Sequence, residues 1–204
     1  MRIIVMGASG GTGALLVEQG LARGHELVAV SRRGTAFGGA ENITGDAGDA
    51  SVVRRAVGEG ADAVVLAFGG TKGSPTARTD ATRGVLAALE RGSVGRIVVH
   101  SSIGADGSEV FLPALSRPVI KLLLGKALAD HTGQEKLVQA SGFDWTLVRP
   151  GGLTDGPATG RALALETPGP LQSRVARADV ASFILDCIED PATAGRSFAL
   201  GMPA

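Results

Sequence analysis

The first thirteen residues, MRIIVMGASGGTG, constrain the architecture more than any other stretch of the chain. Residues 2–6 are apolar and rich in β-branched side chains, the pattern of a strand buried on both faces. They run straight into Gly7-Ala8-Ser9-Gly10-Gly11-Thr12-Gly13, after which ALLV opens a helical pattern. Strand, glycine turn and helix in this order bring backbone amides and a helix N-terminus to one point, where a dinucleotide pyrophosphate can rest. Side chains larger than glycine would hold the phosphates away from the backbone there. An ordinary glycine-rich βα turn is the competing reading, and the flanking strand and helix favour the dinucleotide.

Strands and helices keep alternating. Residues 12–23 (TGALLVEQGLAR) place Leu15, Leu16 and Leu21 on a helix against a sheet, Gly24 stops it, and 26–30 (ELVAV) form a second buried strand. Residues 34–50 are a glycine-rich loop with a short strand at 42–44. Ser51 is placed to cap a helix ending at Val57, and 61–68 (ADAVVLAF) give another central strand. The loop Gly69-Gly70-Thr71-Lys72-Gly73-Ser74-Pro75 leads to a helix over 76–91 and a strand at 96–101 (RIVVHS). Residues 102–117 read as a loop with helical character. Residues 118–128 (PVIKLLLGKAL) read as a helix packed on the body, with a dimer face or a membrane surface as alternatives. A helix over 129–141 and a sixth strand at 143–148 (FDWTLV) follow. Residues 149–175, rich in Gly, Pro, Thr and Leu, are expected to form a small lobe over the cleft. Asp179 is placed to cap a helix over 180–189, and 197–200 add an edge strand. The expectation is one α/β domain spanning 1–204: a Rossmann-type doubly wound parallel sheet with helices on both faces and a small C-terminal substrate lobe.

Composition narrows the function classes. Lys+Arg and Asp+Glu balance at 20 each, so no net field draws the chain to nucleic acid or an acidic membrane. The one cysteine, Cys187, excludes an internal disulfide, fits a reducing compartment, and sits in an apolar run that buries it. No leader pattern and no apolar run of spanning length is seen, so a cytoplasmic protein is expected, monomeric or homodimeric. No metal site is expected. Tyrosine is absent altogether.

The residues at strand ends carry the chemistry. Where an NAD site offers a carboxylate to the ribose, at the end of the second strand, this chain offers Ser31-Arg32-Arg33. Two guanidinium groups can grip a 2′-phosphate that a carboxylate would repel, so NADP(H) is preferred over NAD(H). Asp46, followed by Ala47, can accept from the adenine amino group or simply shape a turn. Ala67, Phe68 and Gly69 close the fourth strand, where small residues let a ribose approach. Ser101 and Ser102 end the fifth strand beside the expected nicotinamide, where a serine can hold a carbonyl or cap a turn.

Taken together, GASGGTG, VSRR, GDAGD, the VVHSS strand end, SGFDWTLVRPGGLTD and LQSRVARADVASFILDCI resemble the atypical short-chain dehydrogenase/reductases that bind NADP(H). The likeness is greatest to the flavin reductase/biliverdin reductase B type and its NmrA-like relatives. It implies that Gly7, Gly10 and Gly13 line the pyrophosphate turn, with Ser9, Gly11 and Thr12 adding amides or hydroxyls. It implies that Ser102 is the active-site serine and that His131, on the helix of the usual catalytic lysine, is a proton donor. Pro150, Gly151, Gly152 and Leu153 would border nicotinamide and substrate. Gly152 stands where that reductase has a second histidine, and the Tyr-x-x-x-Lys pair of typical members cannot exist here.

Without a phenol, reduction of an isolated ketone lacks its acid, whereas a conjugated acceptor leaves a delocalised anion that solvent can protonate. The expected activity is hydride transfer from NADPH to a small-molecule conjugated acceptor: a flavin, a quinone or a linear tetrapyrrole. Two other readings stand beside it, an NmrA-like redox sensor without turnover and a sugar-nucleotide epimerase or dehydratase.

Overall fold

Side chains along β1 (Arg2–Met6) alternate between two separate cores, and that alternation sets up the whole molecule. Ile3 and Val5 point into one core, Ile4 and Met6 into the other, all four fully buried. A strand that buries both faces needs helices on both sides. In the computed structural model, which describes every residue except Lys72 and Ser173, helices α1 (Gly11–Ala22) and α5 (Arg177–Glu189) cover one face. Helices α2 (Ala50–Val57), α3 (Ala77–Ala88) and α4 (Arg117–Gln139) cover the other. Lys72, read in the loop after the fourth strand, and Ser173, in the C-terminal likeness, lie outside the described residues.

The strands β2 (Glu26–Ser31), β3 (Glu41–Thr44), β4 (Ala61–Leu66), β5 (Val94–His100) and β6 (Trp145–Pro150) join β1 in the order β3-β2-β1-β4-β5-β6, all parallel. The order reverses between β1 and β4, and the crevice at their carboxyl ends is where such sheets bind ligands. This is the Rossmann-type doubly wound sheet expected from the sequence.

Past β6 the chain departs from the sequence reading. Short strands β7 (Gly152–Thr154) and β10 (Arg174–Ala176) pair with each other in a separate two-stranded ribbon. Strands β8 (Leu163–Leu165) and β9 (Leu171–Gln172) run antiparallel to β11 (Arg196–Pro203). The strand expected at 197–200 is therefore longer and is not an edge: β11 lies between β6 and these two short strands. Edge position depends on partners that arrive from elsewhere in the chain, which local pattern does not encode.

Three helix assignments also change. Asp49, not Ser51, caps α2, its Oδ1 accepting from the Ser51 amide at 2.7 Å. The two helices expected over 118–141 are one continuous helix, α4, started by a proline in its first turn. Its apolar first half is packed on the body only in part: Ile120 rests against the cluster of Ile103, Leu112 and Ala199, but Leu122 and Leu123 are 85% and 73% exposed, and the fully buried residues begin at Asp130. Three consecutive leucines point around a helix rather than to one side, so composition overstated burial there. Finally, Asp179 sits inside α5 and does not cap it. Its carboxylate accepts from the Thr159 and Gly160 amides and the Thr159 hydroxyl, at 2.8–2.9 Å, tying residues 159–160 to the helix.

Among the described residues no helix is long and apolar enough to cross a membrane. Cys187 is buried as expected, and burial pushes its thiol up to about 12, which leaves it unreactive.

Candidate functional site

The glycine turn after β1 is locked by its neighbours on both sides. The amides of Gly7 and Ala8 both donate to the Val30 carbonyl at the end of β2, each at 3.0 Å. Gly7 has φ +94°, and a Cβ on it would stand 2.5 Å from the Ala67 carbonyl oxygen; one on Gly13 would stand 2.3 Å from the Gly7 oxygen. The turn and the first helical residues are thus pressed together more closely than any side chain allows. Helix α1 starts at Gly10 with no side-chain cap and no acidic residue in its first turn. Its leading amides are left for an anion, with the positive end of the helix dipole behind them.

In front of this turn lies a cleft of about 440 Å³ that gathers most of the expected cofactor residues. Gly7, Ser9, Gly10, Ser31, Arg32, Arg33, Asp46, Ala47, Phe68 and Gly69 all line it, with Ala77 and Asp80 of α3 opposite. Ser31 is buried and its hydroxyl accepts from the Thr35 amide at 3.2 Å, shaping the loop that carries the two arginines. Arg32 and Arg33 are exposed, and among the described residues neither is paired with a carboxylate. Asp46, which lines the cleft, uses Oδ1 to hold the Gly48 amide at 2.8 Å, the turn-shaping role.

The remaining expected residues fall elsewhere. Gly11 is exposed at the start of α1, Thr12 and Gly13 are buried beneath it, and Ala67 is buried under the turn. Pro150 closes β6 and is buried; Gly152 and Leu153 belong to the β7–β10 ribbon, with Gly151 between the two, its amide on the Leu200 carbonyl.

At the carboxyl end of β5 a second group of residues assembles. Of the two serines, Ser101 is the one near His131, its Oγ 3.5 Å from Nδ1 and buried; the Ser102 hydroxyl instead donates to the Ile103 carbonyl at 3.2 Å. Burial first, and then the positive charge of Arg78, push His131 down to about 3. His100 is pushed to about 4 by burial, Arg78 and Arg177 in that order. Both imidazoles are therefore neutral at physiological pH. A proton-donating role for His131 would therefore rest on the N–H of a neutral imidazole and not on an imidazolium.

Four residues that organise this region carried no signal in the sequence. Asp130 of α4 is 4% exposed, and it caps α3 from across the fold. It accepts from the amides of Arg78 and Thr79 at 3.0 and 2.9 Å and from the Thr79 hydroxyl at 2.9 Å. The local candidate, Thr76, makes no cap. Arg78 also reaches Asp130 through Nη1, at 3.3 Å. Arg149, in the Arg-Pro-Gly segment, makes a two-pronged pair with the fully buried Glu135 at 2.9 and 2.7 Å, fastening α4 to the end of β6. Arg177, at the start of α5, lies over Gly11 and is held by Asp155 at 2.6 Å.

Comparison with known proteins agrees with this arrangement. A family model described as NAD(P)H-binding matches residues 7–191. ChuY, an anaerobillin reductase from Escherichia coli O157:H7, superposes with a TM-score of 0.84 at 32% identity, over 100% of this chain and 98% of that one. An uncharacterised sugar epimerase of Bacillus subtilis, YhfK, is 26% identical over 98% of this chain and 94% of its own length. An uncharacterised chloroplast protein of Arabidopsis thaliana is 29% identical over 79% of this chain, which spans 62% of that longer protein.

Proposed function

The chain belongs to the NAD(P)H-binding family, and from that premise we propose that it is an NADPH-dependent reductase of a conjugated acceptor such as a flavin, a quinone or a linear tetrapyrrole. The residues present fit the dinucleotide: an uncapped helix N-terminus behind a glycine turn, and a cleft whose rim carries two unpaired arginines. The pair Arg32 and Arg33 is the observation that carries the choice of NADPH. They follow β2 directly, at the ribose end of such a site, and among the described residues neither is paired with a carboxylate.

When bound, the reduced nicotinamide supplies a hydride. The protein's own part is orientation and electrostatics. The glycine turn fixes the phosphates, Phe68 and Gly69 give the sugar a surface, and Ser101 and His131 pack together, buried, at the end of β5. With no tyrosine and no charged histidine there, the proton that completes the reduction comes from solvent, which a delocalised product anion tolerates. The name of ChuY, a reductase, supports the same reaction class.

The test is a double substitution, Arg32→Ala with Arg33→Ala. NADPH affinity is expected to fall by about ten- to a hundredfold while NADH affinity changes little. Equal losses for both cofactors would remove the arginines from phosphate recognition. A redox sensor without turnover is the second reading, favoured by the missing phenol. Sustained NADPH oxidation with flavin mononucleotide or a quinone separates the two, because a sensor gives none.

A further inference from the structure

The Arg78 guanidinium is confined but barely used. It is 14% exposed, its Nε is buried with no partner, and among the described residues its single side-chain hydrogen bond is the long Nη1 contact to Asp130. A guanidinium has five N–H donors, and a confined one normally spends most of them. The head of the side chain lies against the loop after β4: Nη1 and Nη2 are 3.2 and 3.3 Å from where a Cβ on Gly70 would stand, and Gly70 is one of the residues that line the cleft. On its other side stand His100 and His131, both of which feel its charge. The Nε2 of His100 is likewise buried without a partner.

Asp130 does not account for the guanidinium. That carboxylate is occupied by the backbone amides of Arg78 and Thr79 and by the Thr79 hydroxyl, and the cap would persist with any side chain at position 78. What remains is a positive group with spare donors, set between the loop after β4, the end of β5 and α4. Such a group suits a negatively charged oxygen that comes from outside the chain.

We propose that Arg78 is the anion receptor of the acceptor site, binding the negatively charged oxygen of a conjugated acceptor. The assignment rests on the reductase reading above. In the reaction, the hydride forms a C–H bond at the electrophilic carbon of the acceptor, with its electron pair drawn from the dihydronicotinamide. The acceptor's π pair moves onto its oxygen, and that oxygen is held by the guanidinium until water protonates it. Arg78 thus stabilises charge where a phenol would donate a proton, and it favours acceptors that are anionic or become so.

The test measures binding without chemistry. Lawsone, a hydroxynaphthoquinone that is an anion at neutral pH, and its neutral methyl ether are titrated calorimetrically into protein saturated with NADP+, which has no hydride to give. Wild-type protein is expected to bind the anion about ten- to a hundredfold more tightly than the ether. Arg78→Gln is expected to bind both alike, and Arg78→Lys to retain part of the preference, with NADP+ affinity unchanged in both; Arg78→Gln is expected to melt lower because Asp130 loses its cationic partner, so both variants are titrated well below their melting temperatures. A preference that survives in Arg78→Gln overturns the proposal, as does a wild-type protein that reduces quinones yet shows no preference. Wild-type protein that binds NADP+ but reduces neither quinones, flavin mononucleotide nor a linear tetrapyrrole overturns the reductase reading, and this assignment with it.

Discussion

His100 at the end of β5 and His131 on α4 are close enough for His131 to feel the charge of His100, and Arg78 faces both from α3. Arg177 from α5 adds to the field on His100, while at His131 the neighbouring Asp130 opposes the lowering only in part. Burial is the largest cause of both shifts, so the neutral forms are a property of the fold. The consequence for stability has a definite sign. An unfolded chain takes up protons on these rings below pH 6.5, whereas the folded chain resists until about pH 4 at His100 and about pH 3 at His131. Their contribution is complete above 6.5 and is lost as pH falls from there toward 4. The urea midpoint is expected to drop between neutral pH and about pH 5, and to drop less in a His100→Asn, His131→Asn double variant. The carboxylates held low by hydrogen bonds, Asp130 among them, act only at more acidic pH. An equal drop in the double variant would show that other groups govern this window.

Helix α5 is bound to the segment before it by the buried carboxylate of Asp179 and by an exposed ion pair between Arg177 and Asp155. Asp179 takes three hydrogen bonds from residues 159 and 160, and those residues belong to a run, 155–161, that is otherwise exposed. Asp179→Ala is expected to cost about 1–3 kcal/mol and to make residues 155–161 the first site of proteolytic cleavage, with the sheet's circular dichroism unchanged. Cleavage at the wild-type rate would mean the segment is held by something other than this carboxylate. Helix α3 has a parallel arrangement, its N-terminal amides satisfied by Asp130 from another helix. In both elements the residue that fixes the terminus is distant in sequence.

Across the molecule, β11 binds together what the chain makes separately. It continues the parallel sheet beside β6 and carries the antiparallel strands β8 and β9 on its other side. Phe198 and Leu200 also enter the core shared with α1 and α5. A chain ending at residue 195 would expose β6 as a flat apolar edge and leave β8 and β9 unpaired. It is expected to be recovered as aggregate or to melt well below the full chain by calorimetry, and a soluble, cooperatively folding truncation would contradict this role.

The sequence by itself determined the alternation of strands and helices through β5, the glycine turn and the two arginines after β2, because each depends on local periodicity or on a short motif with a fixed backbone requirement. Gly7 and Gly13 are implied by the family resemblance, and the structure supplies the reason, since no other residue fits there. Only the tertiary structure decided which serine meets His131, that both histidines are neutral, and that Arg78, Asp130, Arg149 and Arg177 gather around the site. Those facts arise from burial and from partners 14 to 52 residues apart in the chain, such as Glu135 with Arg149 and Arg78 with Asp130. Burial and long-range pairing are properties of the packed molecule, and no local pattern in a single sequence records them.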